Sequence, residues 1–91
     1  MPVVETNLVI TNKVGLHARP ASVLVQTAAR FQSKIHAQYG EKTANAKSML
    51  GVLKLGATVG ATIIVRAEGE DAEQAIAALT DLARRNFDEE E

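Results

Sequence analysis

No cysteine occurs among the 91 residues, which excludes disulfides, zinc–thiolate centres and redox-active thiols. Tryptophan is absent as well, leaving Phe31, Tyr39 and Phe87 as the only aromatic rings that could stack on bases. Neither sign of charge is in excess: ten Lys and Arg oppose eleven Asp and Glu, and a formal net of −1 gives no electrostatic case for nucleic acid. A membrane-length apolar run is also missing. From Met49 to Val65 the only charge is Lys54, but Gly51, Gly56 and Gly60 break a stretch that is already too short, so it reads as helix, loop and strand. Met1–Glu5 lacks the basic start and apolar core of a secretion signal, and a cytoplasmic protein is expected. A chain of this length is expected to form one domain over 1–91, near the lower size at which a core holds without staples.

What is present is periodic. Val4, Thr6, Leu8 and Ile10 alternate with Glu5, Asn7 and Val9, the pattern of a half-buried strand, and residues 11–15 read as a loop. From about Ala18 to Phe31 the period becomes helical, with Ala21, Leu24, Val25, Ala28 and Phe31 on one face. Ser33–Tyr39 alternates again, and Gly40-Glu41 turns the chain into a short strand over Lys42–Ala46. Ser48 opens a short apolar helix that stops at Gly56, and Thr62–Arg66 is a β-branched strand. Asp71 is predicted to cap the last helix, with Gln74 completing a capping-box-like pair. Ala72, Ala75, Ile76, Leu79, Leu82 and Ala83 form its apolar stripe. The acidic tail 88–91 sits at the negative end of that helix dipole and is expected to fray. The order β-α-β-β-α-β-α predicts an α+β open-faced sandwich: a four-stranded antiparallel sheet covered on one face by three helices, with a split βαβ crossover.

Gly15-Leu16-His17-Ala18-Arg19-Pro20-Ala21 falls where the first loop meets the first helix. Gly15 permits a tight path, and Pro20 is tolerated in a first turn because its missing N–H is not needed there. His17 is thereby placed at or beside a helix N-cap, with the amides of Ala18 and Arg19 close by. Such amides and the positive end of the dipole make an anion site, and the planar guanidinium of Arg19 suits phosphate oxygens. A nucleophilic ring beside an anion cradle suggests that His17 carries a phosphoryl group. A lone histidine near a helix start is more often a solvated or capping residue, so the surrounding motif decides.

That heptapeptide closely resembles the active-site signature of the HPr family, the histidine phosphocarriers of the bacterial phosphotransferase system. The resemblance implies sheet order 1-4-2-3. It implies that His17 is phosphorylated on Nδ1 by Enzyme I, itself charged from phosphoenolpyruvate, and hands the group to sugar-specific IIA domains. Arg19 would neutralise charge developing during transfer, and the amides of Ala18 and Arg19 would hold the phosphate oxygens. The protein would then be a covalently modified monomeric carrier with no turnover of its own, no cofactor, no metal, no nucleic-acid partner and no membrane insertion. One departure is Val14, where many members carry a small polar residue that orients the ring; Asn12 or a backbone carbonyl is left to supply that contact.

Ser48 is by pattern first an N-cap. Yet Lys47-Ser48-Met49-Leu50-Gly51-Val52, followed by Leu55-Gly56, resembles the regulatory serine segment of Gram-positive HPr, as does Ala21–Ala28. The resemblance implies phosphorylation of Ser48 by an HPr kinase/phosphorylase and a catabolite-control transcription regulator as a further partner. Met49, Leu50 and Val52 are expected to form an apolar docking patch beside it. His36, on the polar side of its strand, is read as solvent-facing. Gly51–Thr58 approaches a P-loop, but Ala57 stands where the lysine should be. Gly56–Gly60 matches G-x-x-x-G without the apolar context of a membrane dimer. Three other readings stay open: a nitrogen-branch regulatory phosphocarrier, suggested by Asn12-Lys13; a regulatory binding module acting through phosphorylated Ser48; and an unrelated split βαβ ligand-binding domain.

Overall fold

Hydrophobic alternation and helical stripes together produce two layers. The computed structural model describes residues 2–88. Strand β1 (Val3–Val9) is followed by helix α1 (Ala18–Ala28), the hairpin β2 (Lys34–Tyr39) and β3 (Lys42–Asn45), helix α2 (Met49–Lys54), strand β4 (Thr62–Glu68) and helix α3 (Ala72–Arg84). A short 3-10 turn over Asn86–Asp88 ends the described chain. The four strands form one antiparallel sheet in the order β1-β4-β2-β3. Because α1 separates β1 from β2, a gap is left that β4 fills, pairing Val3 with Glu68 on one side and Lys34 with Glu68 on the other.

One face of the sheet supplies the core. Leu8, Ile35, Ala37, Ile63, Val65 and Ala67 are buried and meet Leu24 and Ala28 of α1 and Ala75, Leu79 and Leu82 of α3. Their neighbours at odd register, such as Glu5, Asn7, His36, Gln38 and Arg66, stay exposed on the open face. His36 is therefore solvent-facing, as expected, opposite Asn45 and Arg66.

Several details differ from the sequence expectation, each for a physical reason. Helix α1 ends at Ala28 rather than Phe31, since the amides of Arg30 and Phe31 close tighter turns on Thr27 and Ala28. Thr27 joins the buried face and Val25 lies at its margin. Strand β3 stops one residue early, and β4 runs two residues further than expected because β1 and β2 both remain to be paired at Ala67 and Glu68. Asp71 stands at the N-cap of α3 but makes no side-chain cap bond. Its carboxylate instead accepts from the amides of Gln32 (2.8 Å) and Ser33 (2.9 Å) and from the Ser33 hydroxyl, tying α3 to the turn before β2. Those bonds, led by the Ser33 hydroxyl, hold the Asp71 carboxyl below its ordinary value near 3.8. Of the acidic tail, Asp88 lies in the 3-10 turn against the Arg85 guanidinium, a cation that offsets the unfavourable dipole position. Glu89–Glu91 lie outside the described residues.

Candidate functional site

The path into α1 is set by backbone bonds on both sides of a short loop. Ile10 exchanges hydrogen bonds with the 60–61 segment (Ile10 N to Ala61 O, 2.8 Å; Gly60 N to Ile10 O, 2.7 Å). The Gly15 amide donates to the Asn12 carbonyl at 3.0 Å, closing a turn, and the Leu16 amide donates to the Ala57 carbonyl at 2.9 Å while its side chain enters the core. Gly15 has φ +77°, and a Cβ there would lie 2.7 Å from the Ala57 carbonyl oxygen and 2.9 Å from the Thr58 Cα. Glycine is thus required at this position twice over, by backbone conformation and by close approach.

His17 follows as the N-cap of α1, in extended conformation (φ −84°, ψ −170°), with no side-chain cap bond. Its ring is partly exposed rather than buried. Its carbonyl accepts from the Ala21 amide at 3.0 Å, the first intrahelical bond. Pro20 has no N–H, so the amides ahead of that bond belong to Ala18 and Arg19, both exposed. No acidic side chain occupies the first turn of α1. This end of an 11-residue helix therefore presents positive partial charge and an arginine to the solvent beside a half-exposed imidazole. All four predicted features (His17, Ala18, Arg19 and the proline-closed turn) come together.

Asn12 is buried, and its side-chain amide donates to the Asn86 carbonyl at 3.0 Å. Val14 is 74% exposed. Among the described residues, no group of three or more His, Cys, Asp or Glu side chains could hold a metal ion, and no helix is long and apolar enough to cross a membrane.

The second predicted site is also at a helix start. Ser48 Oγ accepts from the Gly51 amide at 3.1 Å, the N-cap geometry of α2. Two anchors orient this helix antiparallel to α1: Leu16 to Ala57 at one end, and the Lys47 ammonium donating to the Phe31 carbonyl at 2.7 Å at the other. Ser48 therefore lies toward the far end of α1 from His17. The expected docking patch needs one correction. Val52 is 0% exposed and belongs to the core, because it faces inward from a helix of which only one side is free. Leu50 (65% exposed), Leu53 and half-buried Met49 carry the surface instead.

One feature of charge escaped the composition. From Thr6 to Ala67 the only acid is Glu41, against Lys13, Arg19, Arg30, Lys34, Lys42, Lys47, Lys54 and Arg66, so the neutral total hides a basic body and an acidic C-terminal part. Charge counted in segments would have found it.

The family model described as "PTS HPr component phosphorylation site" matches residues 4–85. The chain belongs to the HPr family. It is 44% identical over 86 residues to phosphocarrier protein HPr of Xylella fastidiosa strain 9a5c, covering 94% of this chain and 97% of that one. An HPr crystal structure from Thermoanaerobacter tengcongensis superposes with a TM-score of 0.91 at 46% identity, covering 97% of this chain and 99% of the other. A phosphocarrier HPr from Bacillus anthracis gives a TM-score of 0.83 at 40% identity, over 89% and 96% of the two chains. The HPr open-faced sandwich, with its strand order, is the fold observed here.

Proposed function

We propose that the protein accepts a phosphoryl group on His17 from phosphorylated Enzyme I and passes it to IIA domains of sugar permeases. A lone pair on the His17 ring attacks the phosphorus, a new N–P bond forms, and the bond to the donor's nitrogen breaks with its electron pair returning to that nitrogen. Transfer to an acceptor repeats the exchange in the other direction. The observation that carries this reading is a partly exposed imidazole at the N-cap of α1 that is not consumed as a cap. A loose transition state asks for placement and charge stabilisation more than covalent help. The Ala18 and Arg19 amides supply the first kind of stabilisation and the Arg19 guanidinium the second. A helix terminus favours an anion by about 0.3–1 kcal/mol when exposed, and by up to about 2 when sheltered. So small a preference suits a carrier, since a phosphate held more firmly would not be passed on. The protein is in this reading a reactant regenerated by its partners, not an enzyme.

Ser48 is the regulatory position. Phosphorylation adds roughly −1.5 to −2 charge beside exposed Leu50 and Leu53. The six residues of α2 span about 9 Å, comparable with a Debye length of about 8 Å at physiological salt, so a phosphate on Ser48 acts on the docking partner more than on His17. Incubation with Enzyme I and phosphoenolpyruvate should give an acid-labile, base-stable phosphate that His17→Ala lacks. Failure of the intact protein to take up phosphate under these conditions would remove the carrier reading.

A further inference from the structure

The 3-10 turn after α3 has no amphipathic pattern to announce it, yet it touches the His17 loop. Asn86, Phe87 and Asp88 follow one another at φ +57°, +55° and +58°. Asparagine tolerates this left-handed path, whereas a bulky aromatic adopts it only where its surroundings over-determine it. Here burial does so: Phe87 is 1% exposed, and the turn packs on α1 as well as on α3.

From this turn, hydrogen bonds lead to the active loop in an unbroken series. The Thr11 hydroxyl donates to Asn86 Oδ1 at 2.7 Å, and the Asn12 side-chain amide donates to the Asn86 carbonyl at 3.0 Å. The Asn12 carbonyl then accepts from the Gly15 amide, and the Gly15 carbonyl accepts from the His17 amide, each at 3.0 Å. Ile10 is anchored before this loop and Leu16 within its end, while Asn12 clasps the middle. Released there, the 12–15 turn would relax and carry the start of α1 with it.

We infer that the Asn86–Asp88 turn is a strap that aims His17, with Asn86 as a positioning residue acting through Asn12. This rests on the phosphocarrier reading and adds a residue pair to it. Misplacement of a reacting group by about 1 Å costs on the order of a hundredfold in rate, so a partly slackened loop should cost about tenfold. The loss should fall on the transfer step and leave docking alone, because Asn12 lies beneath the surface.

The test uses the full chain carrying Asn12→Ala, with Thr11→Val as a milder second variant whose lost bond lies at the exposed edge of the loop. Transfer from phosphorylated Enzyme I should show kcat reduced about tenfold in Asn12→Ala and severalfold in Thr11→Val, with KM within about twofold, the split expected of misplacement. The His17 ring resonances should move in both variants, while those of His36, on the open face of the sheet, should not. Either variant, folded at the assay temperature but with unchanged kcat and unchanged His17 resonances, would overturn the strap, and a loss of thermal stability with no other change would overturn it equally. If Asn12→Ala does not fold, Thr11→Val decides alone. The ring resonances need no phosphate, so they judge the strap even if the unsubstituted protein takes none up from Enzyme I, a result that would fail the carrier reading instead.

Discussion

Replacing Gly15 by alanine, with Gly40→Ala as its matched control, separates the two demands made on the residue before Leu16. Both glycines have positive φ, +77° and +62°, but a Cβ at Gly40 meets nothing within 4 Å, whereas one at Gly15 lies 2.7 and 2.9 Å from backbone atoms of Ala57 and Thr58. A left-handed alanine costs roughly 1–2 kcal/mol, and the stiffer unfolded chain returns about 0.4–1, so Gly40→Ala should lose about 1 kcal/mol. Gly15→Ala carries the same cost plus about 1–3 kcal/mol of overpacking, since Ala57 is bonded to Leu16 and cannot retreat freely, giving a total of about 2–4 kcal/mol. For a domain of this size each kcal/mol lowers Tm by about 4–8 °C. Urea titration and thermal melting by circular dichroism should therefore show the Gly15 variant falling two to four times as far as the Gly40 variant. Transfer from Enzyme I, measured below both melting points, should slow only for Gly15→Ala. Equal losses of stability in the two variants would refute the close approach, and a fully active Gly15→Ala would refute the claim that this turn sets His17.

Other expectations follow from the same contacts. The Asp71 carboxyl is held below its ordinary value, chiefly by the Ser33 hydroxyl and then by the Gln32 amide, so its contribution is present above about pH 4 and is lost as pH falls through the lowered value. Urea midpoints of the parent and Asp71→Asn should differ at pH 7 and converge on acidification below that point, and parallel curves would show that Asp71 contributes nothing of this kind. Val52→Ala should lose about 2 kcal/mol by chemical denaturation from the two buried carbons removed, while Leu50→Ala should stay within about 0.5 kcal/mol and raise KM for Enzyme I. The opposite ranking would restore Val52 to the docking face. Ser48→Ala should cost about 1 kcal/mol as a lost cap, whereas Ser48→Asp should keep the cap and raise KM for Enzyme I; an unchanged KM would disconnect Ser48 from docking.

Much of this molecule is legible in its sequence because local rules agree with one another. The stripe Ala21, Leu24, Ala28 has a single face to bury, and the strand of Val4, Thr6 and Leu8 has a period of two, so both elements and their orientation follow. Ser48 and Gly56 end a helix by chemistry alone, and His17, Ala18 and Arg19 are placed by the heptapeptide around them. What could not be read were choices between partners distant in the chain. Asp71 is as good a cap as any by pattern, but the Gln32–Ser33 amides, 38 and 39 residues away, take its carboxylate first. Val52 and Leu50 are equally apolar, and only the packing of α2 on its neighbours tells which one is inside. The left-handed turn at Asn86 has no periodic signature; its one local cue, an asparagine after the last helical stripe, draws its meaning from Asn12, 74 residues earlier in the chain, lying against it.

The distribution of charge bears on how a site this open can be selective. Between Thr6 and Ala67, eight basic side chains face a single acid, while the acids gather at the start of α3 and beyond its end. Lys13, Arg19 and Lys54 belong to the loop and helices nearest His17, as does Asp88 in the turn against that loop, and where α3 begins Glu68, Glu70 and Asp71 share a cleft with Arg30 and Lys34. Charges of both signs thus stand at each end of the molecule, and exposed charges of this kind act on encounter rate and choice of partner more than on the depth of the bound state. In the proposed docking, the exposed Leu50 and Leu53 would add a modest apolar contact, well short of a standard interface. A carrier needs this combination. In the proposed cycle one partner has to leave before the next can reach the same imidazole, so affinity beyond what orients the ring would slow the flow of phosphate. In the proposed regulation, charge placed on Ser48 would act on that encounter from the far end of α1, beside Leu50 and Leu53, rather than on the geometry at His17.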